Sequence, residues 1–146
     1  MSIDGGLNEA SVGLARGPLA APVLGRVVGI LAARADCPID RLDDALLVAD
    51  AVAAKAANFA EDGRVNVHVV AEQGSVELRI GPLVADGADG LVASASLPGI
   101  GNVLERVADE LESQSVNGSD DEYLRIRLGF GPQRQSPKNP EEADAP

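Results

Sequence analysis

Residues 64–80 read RVNVHVVAEQGSVELRI, and this stretch narrows the possible folds more than any other. Val65, Val67 and Val69 alternate with polar residues, and so do Val76, Leu78 and Ile80. Side chains point to opposite faces at a period of two, so each run is a strand with one apolar face. The EQGS tetrapeptide between them is turn-forming, which makes the strands antiparallel neighbours. A two-stranded ribbon with one apolar face cannot stand alone in water. The rest of the chain must supply more sheet and a cover.

The cover is legible upstream. PVLGRVVGILAARA (22–35) places Leu24, Val27, Val28 and Leu31 at helical spacing, with Pro22 in a position suited to a first turn. Gly25 and Gly29 are four apart and permit close helix packing, but the run is too short for a membrane dimerisation motif. DCPIDRLDDALLVADAVAAKAANF (36–59) is the clearest helix. Pro38 suits its first position, with Asp36 or Cys37 as cap. Asp40, Asp43 and Asp44 fall where the helix dipole favours negative charge. Its stripe is Leu42, Leu46, Ala49, Val52, Ala53 and Ala56, and AEDG (60–63) ends it. With aromatics at 2% and apolar residues at 45%, the core is built from Val, Leu, Ile and Ala.

The remaining segments complete the order. Residues 1–17 are polar and Gly-rich, with one short strand expected near Val12–Ala15. Residues 81–101 read as irregular. IGNVLERVADELES (100–113) reads as a third helix through Val103, Leu104, Val107, Ala108 and Leu111. EYLRIRLGF (122–130) alternates as a last strand. The Pro-rich, acidic stretch 131–146 has no periodicity and is expected to be a disordered tail. No internal repeat is evident. The expectation is an α+β chain: a two-layer α/β sandwich with helices on one face of a mostly antiparallel sheet, in one domain of 146 residues.

Composition excludes several functions. The net charge of −11 argues against nucleic acid, which needs a Lys/Arg face, and against an anionic membrane surface. A basic protein partner is allowed. The simpler role for the acidity is to keep a cytoplasmic protein soluble. Cys37 is the single cysteine, so no intrachain disulfide forms, and a reducing compartment fits. No signal peptide is expected at the N-terminus, and no apolar run is long enough for a membrane span.

Three stretches together, over roughly residues 12–130, resemble the GHKL (Bergerat-type, histidine-kinase-like) ATPase superfamily. Within it they are most similar to the bacterial anti-sigma factor/serine kinase family. PIDRLDDALLVADAVAAKAANF looks like the helix that enters the nucleotide site, and VELRI like the strand before the first glycine box. PGIGNVLERVADEL followed by EYLRIRL looks like the second glycine box, its helix and the closing strand. The resemblance implies a histidine-kinase-like ATPase domain over 1–130. It implies ATP or ADP as ligand, and a sigma factor, a STAS-type anti-anti-sigma protein or a second copy as partner.

It also implies what this chain has lost. The family helix carries a Glu that works as a general base or polarises the attacking group and, one turn on, an Asn that binds phosphate-bridging Mg²⁺; both must share a helix face. Those positions hold Ala51, which takes no proton, and Lys55, which repels Mg²⁺. The family's adenine-reading Asp should follow VELRI directly, but Gly81-Pro82-Leu83 follows instead. Asp86 and Asp89 of the later DGADG are displaced candidates for that role, although Asp-Gly pairs are ordinary turn formers. Gly99 and Gly101, before a helix, are candidates to aim N–H groups at a phosphate, and Lys55 to contact one as a point charge. The simpler readings are a loop end for the glycines and a solvated stem for Lys55.

The expectation is a regulatory protein that acts by protein–protein binding, with no kinase activity and at most weakly bound ATP or ADP. Two alternatives stay open: a working ATP-binding serine kinase with displaced motifs, and an unrelated small α/β interaction domain. His68, opposite the valine face, reads as a half-exposed structural histidine, and Cys37 as a packing or cap residue. Without paired ligands, zinc is not expected.

Overall fold

A computed structural model describes residues 8–116 and 118–130, with no side-chain description for residue 97. The expected tail at 131–146 lies outside the described residues. Seven strands are β1 (Asn8–Ala15), β2 (Arg64–Glu72), β3 (Ser75–Leu83), β4 (Ser96–Leu97), β5 (Gly101–Asn102), β6 (Glu110–Ser115) and β7 (Glu122–Gly129). Four helices are α1 (Ala20–Arg34), α2 (Ile39–Lys55), α3 (Gly87–Ser94) and α4 (Val103–Val107). A 3-10 turn, Ala56–Phe59, extends α2.

Five strands form one sheet in the order β1-β2-β3-β7-β6, every neighbouring pair antiparallel. The β2–β3 hairpin is the one read from the alternation. Its register sets Val67 against Ile80 and Val69 against Leu78. On the far side of β3, Leu78 faces Ile126 and Val76 faces Leu128. All seven are fully buried, so an apolar face three strands wide runs across the sheet centre. The α1–α2 pair lies over it. Leu24, Val28 and Ala32 of α1 and Val48, Ala49 and Val52 of α2 have no exposed surface. Each Val or Leu buried this way contributes roughly 1.5–3 kcal/mol. Aromatics are nearly absent from this layer; α2 supplies Ala45, Ala49 and Ala51, and the following 3-10 turn Ala56, as buried small residues. The protein is therefore α+β, a two-layer α/β sandwich.

The other sheet face carries charge. Arg125 sits between Glu77 (3.0 Å) and Glu110 (2.8 Å), and the Arg79 guanidinium lies 5.6 Å from the Tyr123 ring centroid. His68, a half-exposed residue, lies between Ser11 Oγ at its Nδ1 and Glu9 Oε1 at its Nε2, both at 2.8 Å. This ties β2 to the edge strand β1.

Four local expectations change. The short strand near Val12 begins at Asn8 and pairs over its whole length with β2. Neither Asp36 nor Cys37 caps α2. Pro38, with extended backbone (ψ 154°), stands at the cap position, and no side chain bonds there. Residues 81–101 are not irregular throughout: β3 continues to Leu83, α3 follows, and β4 and β5 form a small hairpin. The third helix does not run through 113. It stops at Val107, and Ala108 is extended (φ −75°, ψ 140°). Asp109 then bonds from its N–H to Arg127 O (2.8 Å), and β6 starts as an edge strand on β7. Val103, Leu104, Val107, Ala108 and Leu111 satisfy helical spacing, but pairing with β7 outweighs local propensity here. Among the described residues, no helix is long and apolar enough to cross a membrane.

Candidate functional site

The residues that the sequence nominates for nucleotide contact sit on or beside α2, α3 and the β4–β5 hairpin. Ala51 lies inside α2 and is 7% exposed, packed into the core. Lys55 is the last residue of α2 and is exposed. A cation there interacts favourably with the carbonyl end of the helix. One turn on, Asn58 is held outside the core by Arg16, whose Nε donates to Asn58 Oδ1 at 2.8 Å.

Asp86 is the left-handed residue before α3 (φ 63°), exposed, and its side chain caps nothing. The free N–H groups at the start of α3 are taken by Glu122 of β7. Its carboxylate accepts from Asp86 N at 2.9 Å and from Ala88 N at 3.2 Å. A helix N-terminus attracts anions, and this one is already served by an internal carboxylate. The glycines of DGADG have a packing role. A Cβ on Gly90 would stand 2.5 Å from Phe59 Cε1, and one on Gly87 would stand 2.9 Å from Leu83 Cβ. The short side of α3 is what lets it press onto the 3-10 turn after α2.

Gly99 lies in the turn of the β4–β5 hairpin and Gly101 opens β5 opposite Leu97, both at positive φ (79° and 86°) and both exposed. They do not open a helix directly. Asn102 intervenes as the cap of α4, and its Oδ1 accepts from Glu105 N at 3.0 Å. Its amide also donates to Val92 O at 2.7 Å, which fixes the hairpin to α3.

Asp89 does line a cavity. A groove of about 400 Å³ runs between α3, α4, β6 and β7, lined by Asp89, Val92, Ala93, Glu105, Leu111, Glu112, Ser113 and Leu124. Three of these are carboxylates and none is a cation. Glu105 and Glu112 were legible in sequence only as polar positions of the expected third helix. Their convergence depends on α4 ending early and β6 turning back.

The residues at the positions that the resemblance nominates do not fit Mg·ATP. Lys55, expected at the Mg²⁺ position, is a cation, Ala51, expected at the base position, is a buried methyl group, and the groove's carboxylates repel polyphosphate. Among the described residues, no cluster of three or more His, Cys, Asp or Glu side chains is placed to hold a metal ion.

A second polar centre lies at the opposite end of α2, and sequence reasoning missed it. Arg41 donates from Nη1 to Asp44 (2.8 Å) and Val107 O (3.3 Å), from Nη2 to Asp109 (2.7 Å), and from Nε to Gly129 O (3.1 Å). Asp109 also accepts from Gly129 N. One guanidinium thus joins α2, the end of α4 and the end of β7. Burial by itself would lower its pKa, but the hydrogen bonds and charges of Asp44 and Asp109 raise it. It is a structural tie that uses four of its five N–H groups. Cys37 lies beside it. Burial raises the thiol pKa against the lowering pull of Arg41, and Sγ bonds to Pro38 O at 3.5 Å.

Neither a protein-family model nor a curated protein matches the chain.

Proposed function

We propose that the protein is a cytoplasmic bacterial regulator of the anti-sigma factor type. In this reading it acts by binding a protein partner and its histidine-kinase-like ATPase domain is degenerate. The observation that carries the loss of chemistry is the pair on α2. Ala51 is buried in the core and Lys55 ends the helix, so no general base and no Mg²⁺ ligand face a nucleotide. The acidic groove and the occupied α3 N-terminus support the same reading. The α+β sandwich is compatible with the resemblance. By that resemblance the partner is a sigma factor or a STAS-type anti-anti-sigma protein, with a second copy as a further candidate.

The test incubates the purified protein with radiolabelled Mg·ATP and a panel of STAS-type proteins, and in parallel measures binding to sigma factors by biolayer interferometry. The reading expects saturable binding to a sigma factor or a STAS protein and no phosphoserine on any STAS protein. Phosphoryl transfer that is lost in Asp86→Asn or Asp89→Asn would instead establish a working kinase with displaced motifs. Absence of both binding and transfer would leave the unrelated interaction domain.

A further inference from the structure

Helix α1 presents a second face that the core does not use. Leu19 is 72% exposed, Val23 44% and Ile30 52%, and Arg26 stands exposed between the last two. The spacing 19, 23, 26, 30 returns to one side of a helix every three or four residues, so these side chains form a single stripe. Arg34 continues it one turn beyond Ile30. The stripe begins at an apolar groove of about 330 Å³ between the end of β1 and the start of α1, lined by Leu14, Leu19 and Val23 among others, with Arg16 at its edge.

The segment that carries this stripe is opposite in charge to the whole protein. Residues 10–35 contain three arginines and no carboxylate, so the rest of a chain of net charge −11 carries −14. Among the described residues, Arg26 and Arg34 form no ion pair, unlike Arg41 and Arg125. An apolar stripe flanked by unpaired cations on an otherwise acidic molecule is complementary to one kind of occupant. A second copy fits badly, since α1 packed on α1 about a two-fold axis sets arginines against arginines.

We infer that α1 is a docking surface for an acidic amphipathic helix of another protein. The partner's apolar side chains seat on Leu19, Val23 and Ile30, and its carboxylates pair with Arg26 and Arg34. The 15 residues of α1 span about 22 Å, room for roughly four turns of the partner. This surface is separate from the acidic groove between α3, α4, β6 and β7 and does not depend on nucleotide binding.

The test uses a fluorescein-labelled helical peptide of about 20 residues, with Leu at the core positions of each heptad and Glu flanking them. A second peptide replaces every Glu with Lys. Anisotropy is read on the full chain. The acidic peptide is expected to bind, the basic one to bind at least tenfold more weakly. Raising salt from about 0.05 to 0.5 M should weaken the acidic complex, since exposed charge pairs are screened. Val23→Glu, Ile30→Glu and Arg26→Glu should each weaken it, by about tenfold for the apolar positions. Their thermal melts should match the parent, because all three side chains are solvent-exposed.

Equal binding of both peptides, or none at millimolar acidic peptide, would overturn the proposal. So would a wild-type dimer in sedimentation that Ile30→Glu converts to monomer, which would make a second copy the occupant. Peptide binding only after removal of residues 131–146 would assign the face to the protein's own acidic terminus and equally overturn it.

Discussion

Substituting Gly90 and Gly25 with alanine separates two explanations of the DGADG segment. Both glycines are inside helices, α3 and α1, and each replacement gains roughly 1 kcal/mol of helix propensity. Their surroundings differ. An added Cβ on Gly25 meets nothing within 4 Å. On Gly90 it would meet Phe59 Cε1 at 2.5 Å, Cδ1 at 3.0 Å and Cζ at 3.3 Å. Carbon atoms prefer about 3.5–4.0 Å, so the ring edge must retreat by roughly 1 Å or α3 must lift. Overpacking of this kind costs about 1–3 kcal/mol. Gly25→Ala should therefore stabilise by about 0.5–1 kcal/mol, and Gly90→Ala should destabilise by up to about 2 kcal/mol. Urea unfolding followed by circular dichroism should show midpoints about 1 M apart with unchanged slopes. A Gly90→Ala protein as stable as Gly25→Ala would refute the argument. Phe59 would then not be seated against α3, and the glycines would need another reason to be there.

Other perturbations test the rest of the structure. Arg41→Met removes bonds to Asp44, Asp109, Val107 O and Gly129 O and should destabilise by about 2 kcal/mol in chemical denaturation, the half-exposed Asp109 tempering the loss. Glu122→Ala frees the two N–H groups at the start of α3 and should cost about 1 kcal/mol, while Glu122→Gln should retain part of it; both are read from thermal melts. Burial raises the Cys37 thiol pKa, so iodoacetamide should modify it more slowly than an unfolded control at pH 8. The folded state holds that proton longer than the unfolded one. Its contribution to stability is full below the ordinary thiol pKa of about 8.5 and falls as pH rises above it; Cys37→Ala should flatten this alkaline slope.

Much of the sandwich was legible because its strands alternate cleanly. Val65, Val67 and Val69, then Val76, Leu78 and Ile80, then Leu124, Ile126 and Leu128 each mark one buried face. The two long helices were equally plain. What escaped was structure whose local signal is weak or misleading. Gly87 and Gly90 argue against a helix by propensity, yet they are what lets α3 approach Phe59 and Leu83. ELESQS is a poor strand by composition, and it becomes β6 because β7 offers a partner and Asp109 is fastened by Arg41 and Gly129. The nucleotide candidates were found by resemblance to motifs. Glu105, Glu112 and Glu122, which make the region acidic and fill the α3 N-terminus, lie on elements distant in sequence, so only the fold brings them together.

The most direct test of the central claim is isothermal titration of the purified protein with ATP and ADP, with and without Mg²⁺. The account predicts no saturable heat in the micromolar range and no gain from Mg²⁺, because Ala51 and Lys55 supply no metal ligand and the groove is lined by carboxylates. Micromolar binding of ATP that requires Mg²⁺ would contradict it and mean that a working nucleotide site exists.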